Sequence, residues 1–248
     1  FIPAVYTLVL GMVTFGTYLV MVQIADDSYS PFEGWVCGKV IFHLIAFVQM
    51  TLVLLLVPSV SASAITSERD RGSLPLLLVT PMPRAFITTG KLVAPLLYVL
   101  LLVSTSLPFA ALSFGFGGTD LTLLAETYLC LLSTAFFTAS LGLAVSTVMK
   151  RTVPAVLLAY GLVAALVVVS GVAEIALHIF VPELRSLWFI YLNPYAPLYL
   201  HILAWASGTN PADPLPWHLW WWITPVLQAW MALACLVISG LRIRSMRE

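Results

Sequence analysis

The chain has 248 residues, 61% of them hydrophobic and 9% charged, with 11 basic and 11 acidic side chains and a net charge of zero. A water-soluble domain carries about a quarter charged residues, so there is too little polar surface here to coat a soluble globule, and the composition places the chain in a membrane. The even balance of charge excludes the basic face that nucleic acid requires, so no nucleic-acid partner is expected. Cys37, Cys130 and Cys235 stand far apart with no paired spacing, which excludes a disulfide framework and a cysteine metal site.

The chain begins inside an apolar run, FIPAVYTLVL, with no initiator Met. A signal peptide would show a charged n-region and a small-residue cleavage site. Neither is present, so a cytoplasmic N-terminal segment is expected to precede residue 1. Crossing the hydrocarbon core takes about 20 apolar residues as a helix. Six stretches qualify, at roughly 1–24, 39–64, 92–115, 121–148, 153–180 and 217–241. They are apolar all round, whereas a β-barrel would alternate in segments of about ten residues. Pro58, Pro95, Pro108 and Pro225 fall within them, as membrane helices tolerate. The expected fold class is therefore an all-α integral membrane protein of six transmembrane helices, forming one domain over residues 1–248.

Orientation follows from the basic residues. Arg69, Arg71, Arg84 and Lys91 lie between the second and third helices, Lys150 and Arg151 between the fourth and fifth, and Arg242, Arg244 and Arg247 after the sixth. Because connections alternate, these nine share one side, and only Lys39 and Arg185 fall on the other. Positive charge in short loops marks the cytoplasmic side, so both termini are expected in the cytoplasm of a multi-pass protein of the cell membrane. The last outer connection, roughly 181–216, is rich in Trp, Tyr and Pro. Short helices at or dipping into the outer interface are expected there, before the sixth span.

The connection from Ile65 to Leu92 reads ITSERDRGSLPLLLVTPMPRAFITTGKL. A charged run is followed by a short apolar stretch, a Thr-Pro-Met-Pro break, and then Gly90 and Lys91. That much Leu and Val in a cytoplasmic loop has to pack against the interface or a partner protein. The segment resembles the type-2 ABC-transporter permeases, whose signature is a Glu-Arg-Glu-Arg-Gly-Thr-Leu-like run, a Leu-rich stretch, a Thr-Pro or Ser-Pro break, and a Gly-Lys opening the third helix. The matching residues are Glu68, Arg69, Asp70, Arg71, Gly72, Ser73, Leu74, Leu76, Leu77, Leu78, Thr80, Pro81, Gly90 and Lys91, and Leu192 to Pro194 match before the last helix. Pro75 departs from the pattern, standing where the family has an acidic or polar residue; proline fits the first turn of a helix but supplies no acidic contact.

The resemblance implies an exporter-type membrane subunit, bacterial in source, that works with a second permease copy or a related chain. It also implies that residues from Glu68 to Leu78 form a coupling helix seated in a groove of a separate ABC ATPase. The charges from Glu68 to Arg71 are then expected to pair with the partner's charges, with Gly72 permitting a sharp reversal and the Leu run supplying buried area.

No G-x-x-x-x-G-K-[ST] loop occurs: the TTGK at Thr88 to Lys91 is followed by Leu92. The chain is thus expected to be no enzyme and to hold no cofactor or metal, with ATP and Mg on the partner ATPase. Ser170 and His178 are about 12 Å apart along one helix, and no G-x-S-x-G is present, so no catalytic residue is assigned. Ionisable groups inside the apolar stretches are few: His43, Glu126, Glu174 and His178. Glu126, Glu174 and His178 are candidates for a polar pathway lining near the outer mouth; the plainer alternative is hydrogen bonding at the interface. Carboxylates near the midplane, as in ion-coupled carriers, are absent from the pattern. That favours an external energy source over the alternative, a secondary carrier or channel without an ATPase. The orientation is checked by cysteine accessibility: positions 70, 84, 150 and 244 should label only from the cytoplasm, and positions 27 and 210 only from outside. Labelling of 70 and 150 from opposite faces would defeat the six-helix topology.

Overall fold

The computed structural model describes residues 2–27, 34–72, 84–115, 119–180, 190–206 and 221–247. In chain order they form α1 (Ile2–Asp27), α2 (Gly34–Ala62), a short α3 (Thr66–Asp70), α4 (Arg84–Gly115), α5 (Leu121–Val148), α6 (Thr152–Phe180), a single 3-10 turn (Ile190–Leu192), α7 (Ala196–Ala206) and α8 (Ile223–Arg247). Among the described residues there is no strand. Five stretches are long and apolar enough to cross a membrane: Val36–Asp70, Thr89–Gly115, Leu121–Val148, Thr152–Ala176 and Ile223–Ile243. The apolar part of α1 among the described residues, Ala4–Val20, is shorter.

Two helix starts differ from the sequence pattern. α4 begins at Arg84, so Gly90 and Lys91 lie within the helix instead of opening it. The physical reason is local: Pro83, the last residue of the proline-rich break, stands just before Arg84, and no proline follows until Pro95. A lone glycine such as Gly90 costs a helix only about 1 kcal/mol. α8 begins at Ile223 rather than near 217, which puts Pro225 in its first turn, where its missing N–H costs nothing. The short helices expected before the last span are the 3-10 turn and α7.

Lipid tails are as apolar as leucine, so hydrophobicity does not drive these helices together; close packing and interhelical hydrogen bonds do. α5 shows this most clearly. It packs against α2, α4, α6 and α8, and its buried face is rich in small residues, among them Thr134, Ala135, Thr138, Ala139, Gly142 and Ser146. Larger side chains from α2 fill the facing space, with Met50, Val53 and Val57 meeting Leu131, Ala135, Ala139 and Leu143. α8 is tied to α5 by Gln228, wholly buried, whose amide lies 2.7 Å from the Ser133 hydroxyl and 3.0 Å from that of Thr134. Interhelical bonds of this kind average about 0.6 kcal/mol in a membrane, so the pair sets register more than it adds stability. α6 and α8 leave broad apolar faces open, including Val168, Val169, Val172, Trp230, Leu233 and Val237.

Buried hydroxyls need partners where no water reaches. Most here return the proton to their own helix: Thr14 to the Leu10 carbonyl at 2.6 Å, Thr138 to Thr134 at 2.8 Å and Ser239 to Cys235 at 2.8 Å. Such bonds let a Thr- and Ser-rich helix face sit in the bundle without exposing polar atoms.

α2 and α5 come into close contact at Gly142. A Cβ there would stand 2.0 Å from Ser61 Oγ and 3.0 Å from the Ala62 backbone nitrogen. The serine is held in place by its bond to the Val57 carbonyl at 2.9 Å. Gly142→Ala should therefore destabilise the bundle by about 1–3 kcal/mol, the usual cost of overpacking. Ser61→Ala in the same chain should give back part of that loss. Thermal unfolding of the purified protein reads both, and an unchanged melting temperature for Gly142→Ala would contradict the close contact.

Candidate functional site

The residues singled out by the sequence lie where α2 runs out of apolar side chains. After Ala62 the chain turns at 63–65 and continues as α3, built by hydrogen bonds such as Arg69 N to Ile65 O at 3.1 Å and Arg71 N to Ser67 O at 3.1 Å. A helix start has N–H groups with no partner in the helix. Those of Ile65 and Thr66 both point at Ser146 Oγ of α5, at 3.0 and 3.1 Å. Ile65 and Thr66 are buried. The base of α3 is thus capped by a neighbouring helix rather than by its own side chain.

The charged residues that follow are engaged within the chain. Glu68 forms an ion pair with Lys91 of α4. Arg69 donates through Nη1 to the Met149 carbonyl at 2.5 Å; Met149 ends α5, where unsatisfied carbonyls and the helix dipole both favour a cation. Asp70 accepts from the backbone N–H of Thr152 at 3.1 Å and also from its hydroxyl, at the first residue of α6, where an anion is favoured. Three consecutive side chains therefore reach three different long helices. Within the chain, Glu68, Arg69 and Asp70 each have a partner on another helix.

Asp70 itself is exposed. The Thr152 hydroxyl, then the Thr152 amide, hold its carboxyl below the ordinary value, with smaller contributions from Arg151 and Arg69. A carboxyl depressed in the folded state stabilises it above the ordinary carboxylate pKa, and that contribution is lost as pH falls through the depressed value. The link between α3 and α6 therefore stays ionised throughout the neutral range.

Arg71 and Gly72 are exposed. Gly72 has φ +72°, a left-handed conformation that side chains with a Cβ adopt reluctantly, and its backbone N–H meets the Arg69 carbonyl at 3.1 Å. Ser73, Leu74, Leu76, Leu77 and Leu78 lie outside the described residues, as do Thr80 and Pro81.

Of the candidate pathway residues, Glu126 is partly buried on α5 and meets His201 of α7, Oε2 to Nε2 at 3.4 Å. Glu174 lies partly buried on α6, and the side chain of His178 is outside the description. His43 is buried, and its Nδ1 contacts the Lys39 carbonyl at 2.8 Å; a carbonyl only accepts, so Nδ1 carries the proton. The Leu-Asn-Pro segment has a positioning role. Asn193 Oδ1 accepts from the Tyr195 backbone N–H at 3.0 Å, and Nδ2 donates to the Val167 carbonyl of α6 at 3.2 Å. Tyr195 then meets Thr51 of α2, hydroxyl to hydroxyl, at 2.9 Å, and stacks on Phe47 with ring centroids 5.1 Å apart. One short turn thus joins α6 to α2 and leads directly into α7.

Ser146, Met149, Thr152 and His201 were not evident from the sequence. The first three surround Lys150 and Arg151, and that junction of basic residues with Ser and Thr was the available signal. His201, a histidine inside an otherwise apolar stretch, was the other. Among the described residues no cluster of three or more His, Cys, Asp or Glu could hold a metal.

No curated protein matches the sequence. A family model described as ABC-2 family transporter protein matches residues 6–241, a range that takes in the charged α3 and nearly the whole helical bundle. With that match and the five apolar helices, the chain belongs to the ABC-2 transporter family and is a multi-pass membrane subunit of an ABC transporter.

Proposed function

We propose that this chain is the permease of an ATP-driven exporter, and that α3 with the Leu-rich segment after it receives the stroke of a separate ATPase. In this reading all six apolar helices cross the membrane, the end of the bundle bearing α3 is cytoplasmic, and two permease copies, or one copy and a related chain, enclose the pathway. ATP and Mg reside on the ATPase subunits. The observation that carries the reading is the engagement of Glu68, Arg69 and Asp70 with α4, α5 and α6. A force applied at α3 is thereby delivered to three long helices at once instead of being absorbed by a loose loop. Leu74, Leu76, Leu77 and Leu78 lie beyond the Gly72 reversal and are the apolar surface for the ATPase groove, with Arg71 beside them for a charge contact. The exporter direction rests on the resemblance of the Glu-Arg-Asp-Arg-Gly-Ser-Leu run to exporter permeases. Glu126, Glu174 and His178 would line the outer mouth of the pathway, with His201 closing against Glu126.

Holding a lever in place and docking a partner are separable tasks. If Glu68 acts through Lys91, Glu68→Lys should lower transport by roughly fivefold, the equivalent of about 1 kcal/mol for a partly buried pair. Adding Lys91→Glu should restore at least half of it. A double variant no better than either single one would mean that Glu68 works through the partner instead. Docking is read by co-purification with the ATPase: serine at Leu76, Leu77 and Leu78 together should abolish it, because the apolar surface is removed. Alanine at Glu68, Arg69, Asp70 and Arg71 together should leave a membrane-inserted protein that transports poorly. If that last variant both bound the ATPase and transported at the wild-type level, the coupling assignment would fall and a secondary carrier or channel would be the better reading.

A further inference from the structure

We infer that one water molecule is built into the membrane-spanning bundle, held by Gln49 of α2 and Thr127 of α5. The two side chains line a cavity of about 10 Å³ between α2, α4 and α5, together with Phe42, Ala110, Tyr128 and Leu131. Gln49 is 2% exposed and Thr127 5%. Gln49 Nε2 and Thr127 Oγ1 have no hydrogen-bond partner in the protein. An unsatisfied buried polar atom is costly, and in a bilayer no bulk water is at hand to relieve it.

Thr127 is unusual beside its neighbours. Thr134 and Thr138 on the same helix return their hydroxyls to carbonyls of that helix at 2.9 and 2.8 Å. Thr127 lies one turn or more inside α5, where the same bond is available, and makes none. Tyr128, which also lines the cavity, has its hydroxyl 3.0 Å from Ser106 Oγ. The polar atoms left to the cavity are thus an amide from α2 and a hydroxyl from α5.

Size and chemistry select the occupant. A volume of this order admits about one water-sized sphere, so a cargo group or a lipid chain does not fit. A cation would want carboxylate or several carbonyl oxygens, and the lining supplies no carboxylate. Water donates to the threonine oxygen and accepts from the amide. If the amide is turned the other way, its oxygen accepts from water instead, so the assignment does not depend on which end of Gln49 faces the cavity. The bridge joins α2 and α5 where neither offers the other a direct polar contact, nearer the end of the bundle opposite α3.

The two states of the site predict opposite signs for conservative substitutions. With the water present, Thr127→Val and Gln49→Met each strip it of a partner, and the melting temperature of the full chain in lipid nanodiscs should fall by about 2–4 °C for each. The double variant should fall no further than the worse single one, because the water is lost together with both groups that needed it. If the cavity is dry, each substitution removes an unsatisfied polar atom, so the melting temperature would hold or rise, and the inference would be overturned. Thr127→Ser, which keeps the hydroxyl, should retain the bridge. An independent reading that does not depend on the variants is the density of the unaltered protein at high resolution. A peak within about 3 Å of both side-chain atoms supports the water, and featureless density there refutes it.

Discussion

A bilayer interior has no bulk solvent to hydrogen-bond with, and a polar group placed there is costly unless it finds a partner within the protein or a buried water. That constraint explains why the long elements are helices, which satisfy their own backbones. It also explains the side chains. Thr14, Thr138, Ser140 and Ser239 each return a hydroxyl proton to the same helix. With hydroxyls silenced in this way, small polar residues can be used for packing as freely as alanine. The groups that do not fold back then stand out. Gln228 links α8 to α5, Asn193 links the 190–195 turn to α6, and Ser146 caps α3 from α5. Each is a place where one helix is fixed relative to another by a polar contact.

The resulting bundle is unevenly held. α2 and α5 approach so closely at Gly142 and Ser61 that even a methyl group would collide. That contact adjoins Ala62, where α2 ends and the turn to α3 begins. A very close contact therefore lies directly behind the segment that carries Glu68, Arg69 and Asp70. A short five-residue helix has little stability of its own. It is held by Ser146 at its base and by its three charged side chains on α4, α5 and α6. The other end of the bundle has polar contacts of its own. There the Tyr195–Thr51 bond and the Glu126–His201 pair join α2 and α5 to the 190–206 region.

Much of this architecture was legible in the sequence because its strongest signal, long apolar runs punctuated by charge, depends on composition rather than on tertiary detail. The runs near 39–64, 121–148 and 153–180 correspond closely to α2, α5 and α6. Helix boundaries were less legible. α4 extends back to Arg84 through RAFITTGK, a mixed stretch with two charges and a glycine that is compatible with a helix but too polar on average for hydropathy to include it. Gly72 was readable because a glycine after a charged helix commonly takes the left-handed conformation, as it does here at φ +72°. The partners of Glu68, Arg69 and Asp70 were not readable. Those partners are a lysine 23 residues later, a backbone carbonyl and a helix N-terminus. Two of the three involve backbone groups, which leave no mark in residue identity.

An alternating run of acidic and basic residues on a short helix fits docking to a partner and anchoring to the parent fold equally well, because charge alone carries no address. Geometry separates the two. A residue used for anchoring must lie within reach of a fixed group on its own chain, and Arg69 at the carbonyl end of α5 and Asp70 at the amide end of α6 each meet a helix terminus of the sign they require. Because α5 and α6 are joined by the short 149–151 segment, the two contacts brace a single corner from opposite electrostatic sides. Moving α3 without moving that corner would leave an arginine and an aspartate without their dipoles and would open the Glu68–Lys91 pair on α4. Displacing α3 and displacing those three helices are therefore each opposed by the same contacts.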